Sequence, residues 1–125
     1  MFDQLRGMAS MASMMKDLPR LKAKLGEVKE RLAGVRVEAK SGGGAVRATA
    51  DGHLRLVSLR IDPGVLSALA GGAMERDRAA AEALVVEAVN AALAMAREAA
   101  GAEVARAAES IGIPLPPGAL EGLLS

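Results

Sequence analysis

Residues 35–63 constrain the fold more than any other part of the chain. Val35-Arg36-Val37-Glu38-Ala39-Lys40 alternates apolar and polar residues, Ser41-Gly42-Gly43-Gly44 follows, and Val46-Arg47-Ala48-Thr49-Ala50 alternates again. Asp51-Gly52 then precedes a third run that ends at Leu59-Arg60-Ile61-Asp62-Pro63. Alternation marks strands, while the glycine cluster and the Asp-Gly pair mark the turns between them. The stretch predicts a three-stranded antiparallel meander.

Helical patterns lie on both sides. Met11, Met14, Leu18, Leu21, Leu25, Val28, Leu32 and Val35 recur at alternating spacings of three and four, the repeat of a long helix with one apolar seam. Pro19 interrupts that repeat, so the helix either starts at a cap on Asp17 or kinks near the proline; a start at Asp17 suits proline's tolerance in a first turn. Residues 1–13, with Gly7, scattered serines and no sustained period, are expected to be a frayed leader. Beyond the meander, Val65 to Leu69 reads as a short helical turn. Met74 to Ser110 reads as an alanine-rich helix with Leu84, Val85, Ala88, Val89 and Ala92 on its apolar face. Gly101 within it marks a bend or a point of close packing. The three prolines between Gly112 and Gly118 exclude helix there. The expected class is α+β in the order α-β-β-β-α, one domain over residues 1–125 with a leader at 1–13 and a Pro/Gly-containing tail at 112–125.

The third strand adds a requirement. Val57, Leu59 and Ile61 alternate one way and Leu54 and Leu56 the other, so both faces of that strand call for burial that one helix layer cannot supply. A homodimer is the expected solution, with Leu54, Leu56, Leu84, Ala88 and Asn90 as contact residues.

Composition excludes several chemistries. Without cysteine there is no disulfide, no thiolate nucleophile and none of the usual zinc frameworks. The single histidine, His53, stands beside the Asp-Gly turn with no cluster of ligands or catalytic partners around it. The Ser41–Gly44 cluster lacks the Lys-Ser/Thr of a phosphate loop and leads into a strand, so it reads as a hairpin turn. An enzyme is not expected, nor a cofactor or small-molecule substrate. No signal peptide is expected, and no stretch is expected to approach the roughly 20 apolar residues of a membrane span.

Charge is segregated even though the net is only +1. Residues 1–41 hold nine Lys/Arg against five Asp/Glu, and residues 42–125 hold seven against ten. With Leu18, Leu25 and Leu32 at heptad position a, Lys22 and Lys29 fall at e and Lys24 and Arg31 at g. A homodimer through this seam would set like charges side by side. These flanks border a core stripe as solvated cations, meet Glu82, Glu87, Glu98 or Glu103, or bind phosphate. Arg36 and Arg47 fall on the polar side of the meander, where they either extend a positive track with Lys40 or are simply the surface charge that alternation alone predicts.

Three segments, in this order, resemble the YbaB/EbfC family of bacterial nucleoid-associated proteins. They are Gly43-Gly44-Ala45-Val46-Arg47-Ala48-Thr49-Ala50-Asp51-Gly52 running into Ile61-Asp62-Pro63, then Leu84-Val85-Val86-Glu87-Ala88-Val89-Asn90-Ala91-Ala92, then Leu115-Pro116-Pro117-Gly118. The resemblance covers roughly residues 14–118. It implies a homodimeric, cytoplasmic, nucleoid-located protein that binds duplex DNA with little sequence preference, or a non-enzymatic adaptor for recombination and repair proteins. With Phe2 as the only aromatic, base stacking is not available, and contact is expected through backbone phosphates at Lys16, Arg20, Lys22, Lys24, Lys29, Arg31 and Arg36.

Overall fold

The computed structural model describes residues 2–71 and 74–112, with side chains from residue 18 onward. A long helix α1 (Phe2–Gly34) leads into strand β1 (Val37–Ser41), and a 3-10 turn over Gly42–Gly44 turns the chain into β2 (Val46–Ala50). Strand β3 (Leu56–Ile61), a short helix α2 (Pro63–Leu69) and a long helix α3 (Glu75–Ile111) follow. The sheet is antiparallel in the order β1-β2-β3, so the expected meander forms. The expected tail lies outside the described residues from residue 113 on.

Small side chains set the packing. The buried face of α3 consists of Ala81, Ala88, Ala92, Ala96, Ala100 and Ala107, at spacings of four and seven that hold one stripe along the helix. Opposite it, β1 and β2 present Ala39, Val46, Ala48 and Ala50, and Val46 is the largest side chain that is fully buried. Alanine against alanine lets helix and sheet approach closely, so a longer side chain at Ala92 would force the layers apart, at about 1–3 kcal/mol. The α3 helix lies across β1 and β2 and barely reaches β3.

Local chemistry accounts for the ends of the elements. The Asp62 carboxylate accepts a 2.8 Å bond from the Val65 N–H and caps α2, whose first residue is Pro63. Gly112, in the left-handed region at φ 74°, ends α3 by donating to the Ala108 and Glu109 carbonyls.

Three features depart from what the sequence leads one to expect. The α1 helix does not begin at Asp17: it passes through Pro19, and the segment expected to be a frayed leader is helical from Phe2. The proline deletes one helix hydrogen bond, and good helix formers on both sides carry the helix across it. Of the two readings of Gly101, close packing is not what is found, since nothing lies within 4 Å of where its Cβ would be. An 18-residue stretch of α3 is, by length and composition, apolar enough to cross a membrane, contrary to the expectation from the sequence. Within α3, Ala88, Ala92 and Ala96 are buried against the sheet, and Ala100 and Ala107 against Val28 and Leu32 of α1.

Candidate nucleic-acid interface

The seam of α1 is only partly used. Val28 and Leu32 are buried against Ala100 and Ala107 of α3, with Val104 half-buried beside them. Toward the amino terminus the two helices leave an open apolar cleft of about 880 Å³, lined by Leu18 and Leu25, by Val104 and Ile111, and by Lys22, Lys24 and Lys29. Leu18 and Leu25 remain 55% and 60% exposed.

Cations flank this seam on both sides. Arg20, Lys22, Lys29 and Arg31 are exposed, and none has a carboxylate within 4.0 Å among the described residues. Lys24 is half-buried, with Nζ 3.5 Å from Glu27 Oε2 one turn along the same helix. The alternative that these flanks meet acids of α3 is not what is found. Glu103 instead accepts from Arg106 at 2.9 Å, and Glu82, Glu87 and Glu98 form no ion pair among the described residues. The Arg36 guanidinium is already engaged: Nη1 donates to the Ala33 and Val35 carbonyls, each at 2.8 Å, and so covers acceptors left open at the carboxy-terminal end of α1. The Lys16 side chain lies outside the described residues.

The β2–β3 loop anchors α1. Asp51 Oδ1 accepts from the backbone N–H groups of His53 at 2.9 Å and Arg55 at 3.1 Å, and Oδ2 accepts from Arg55 Nε at 3.3 Å. Burial pushes the Asp51 carboxyl up, but the Arg55 and His53 N–H bonds and the Arg55 charge outweigh it and hold the group below the usual carboxylate range. Beside it the Gly52 N–H donates to the Leu32 carbonyl at 2.9 Å, tying the hairpin to the last turns of α1.

The residues expected at a dimer contact fall into different places. Ala88 is fully buried under the sheet of its own chain, so it is core packing and not a free contact surface. Leu54, in the left-handed region at φ 62°, and Leu84 are half-buried and pack against the same core. Asn90 is exposed on the side of α3 away from the sheet. In β3, Thr49 pairs with Ser58 but Ala50 pairs with Leu56, so a bulge at Val57 sets Leu56 on the face that carries Leu59 and Ile61. The surplus apolar surface of β3 therefore gathers on the inner face beyond the reach of α3, where Leu56 is 42% and Leu59 38% exposed.

On the outer face, Lys40 pairs with Arg47 and Arg47 pairs with Arg60, which sets three exposed cations in one row across the sheet. Alternation alone puts Lys40 and Arg47 on that face. It does not reveal that Arg60 joins them, because strand register is not written in either strand by itself.

Comparison with known proteins agrees with this architecture. The YbaB/EbfC DNA-binding family matches residues 8–111. A nucleoid-associated protein of Anaeromyxobacter dehalogenans is 36% identical over 84 residues, 67% of this chain and 75% of that protein. Another, of Moorella thermoacetica, is 36% identical over 87 residues, 70% of this chain and 77% of that protein. The crystal structure of an uncharacterized protein of Helicobacter pylori shares the fold, with a TM-score of 0.58 at 24% identity over 70% of this chain and 84% of that one. With the family match spanning α1 through α3 and relatives aligned over two thirds of the chain, the protein belongs to the YbaB/EbfC DNA-binding family.

Proposed function

We propose that the chain is a non-enzymatic nucleoid-associated protein of the bacterial cytoplasm that binds duplex DNA through its backbone phosphates with little sequence preference. The observation that carries this reading is the set of exposed α1 cations, Arg20, Lys22, Lys29 and Arg31, without a carboxylate partner among the described residues. Cations left unneutralised along one rigid helix match a polyanion, and each phosphate they engage releases condensed counterions. Lys16 and Lys24 lie on the same helix, Lys24 paired with Glu27, and Arg36 stands just past its end. The working form is a homodimer in which a second copy covers the open inner face of β3 at Leu56, Val57 and Leu59.

The test is equilibrium binding to several duplexes of unrelated sequence at low salt. Affinities within a few-fold of one another support the reading, and strong preference for one sequence contradicts it. A second reading, a protein-interaction adaptor in recombination or repair, is favoured by the open apolar cleft between α1 and α3. It requires partner capture with negligible affinity for any duplex.

A further inference from the structure

The outer face of the sheet is bare. The α3 helix packs on the side of Ala39, Val46, Ala48 and Ala50, and no other described element lies against the opposite side. On that side Lys40, Arg47 and Arg60 are register partners on three adjacent strands. Strands in a sheet lie about 4.8 Å apart, so the three backbone positions span only about 10 Å. Like charges placed directly opposite one another destabilise a sheet. The only carboxylate within 4.0 Å of any of the three among the described residues is Glu38 Oε1, 3.9 Å from Arg47 Nη1, and both side chains are about half exposed. Lys40 and Arg60 have no carboxylate within 4.0 Å among the described residues. The adjoining row, Glu38, Thr49 and Ser58, brings two hydroxyls able to donate to an anion.

From this geometry we infer that the row Lys40, Arg47 and Arg60 is a second phosphate-binding surface, which engages the backbone of duplex DNA independently of α1. The inference rests on the DNA-binding reading above. A repulsive row on a bare face costs folding stability, and a polyanion laid across it converts that repulsion into attraction. Duplex DNA fits because its phosphates recur closely enough for several to meet the row at once. A second copy of the chain docking on this face would set the row against its own image, which like-charge repulsion disfavours.

The experiment uses the full chain and the double variant Lys40→Gln with Arg60→Gln, leaving the Arg47–Glu38 pair in place. Two readouts should move in opposite directions. The melting temperature without DNA should hold or rise, because cross-strand repulsion is relieved. Affinity for unrelated duplexes should fall about equally, with the slope of log affinity against log salt shrinking by about 0.9 to 1.8 as one or two phosphates go unneutralised. Unchanged affinity and slope, with the wild type binding DNA, would overturn this surface and leave the α1 reading intact. A fall in melting temperature alongside the fall in affinity would overturn it too, since the residues would then be structural. Absence of DNA binding by the wild type at low salt would remove both readings.

Discussion

The Gly52 N–H donates to the Leu32 carbonyl at 2.9 Å, and the backbones approach so closely that a Cβ on Gly52 would stand 2.5 Å from that oxygen. The glycine is therefore required by proximity and not by a left-handed φ, for its φ is not among the positive ones. This bond joins the carboxy-terminal end of the basic helix to the hairpin. It fixes where α1 leaves the sheet.

Gly52→Ala should accordingly destabilise the fold by about 1–3 kcal/mol, because the clash is with backbone that cannot rotate away. Chemical denaturation measures it. A variant within a few tenths of a kcal/mol of wild type would contradict this role for the glycine.

Gly101→Ala should do the opposite. The site is inside α3 with nothing within 4 Å of the added Cβ, so the substitution should stabilise by about 0.5–1 kcal/mol. A destabilised variant would reveal a packing role at this position.

Asp51 gives the fold a pH dependence of defined sign. Its carboxyl is held below the ordinary value of 3.8, so its contribution is fully present above that pH and is lost as pH falls through the lowered folded-state value. Asp51→Asn keeps an acceptor for the His53 and Arg55 N–H groups but removes the charge. The stability gap between wild type and variant should be flat from neutral pH down to about pH 5 and should shrink below about pH 4. A gap that widens on acidification would contradict the assignment.

The open inner face of β3 predicts a homodimer. Light scattering at micromolar concentration should give twice the 12.7 kDa chain mass. Leu56→Glu with Leu59→Glu should convert it to a folded monomer, because these side chains are exposed in the single chain and the charges cost little there. A dimer that survives the double change would place the interface elsewhere, with the open cleft beside Leu18 and Leu25 as the next candidate.

How much of this is legible in the sequence depends on the range of the interaction. The meander and the two long helices are legible because period 2, period 3.6 and the turn residues are local signals. The helical reach of α1 to Phe2 is not, since the local cost of Pro19 points to a boundary that the surrounding helix formers override. Alternation assigns Leu56 to the wrong face because the bulge at Val57 reverses it and leaves no mark in composition. Ala88 reads as a plausible contact residue until the sheet is seen to bury it. The candidate cations of α1 are legible as a charge pattern, whereas Arg60 escapes notice because its neighbours Arg47 and Lys40 are set by register across two hairpins.

The central claim is that exposed cations of α1 bind DNA phosphates, and salt dependence tests it most directly. Duplex binding by the wild type and by the variant carrying Lys22→Gln, Lys24→Gln, Lys29→Gln and Arg31→Gln should be titrated against salt, with circular dichroism and light scattering confirming an unchanged fold and assembly. The expected result is weaker binding to all sequences alike and a slope of log affinity against log salt smaller by about 0.9 for each phosphate that the variant no longer neutralises. A folded variant with the wild-type affinity and slope would contradict it.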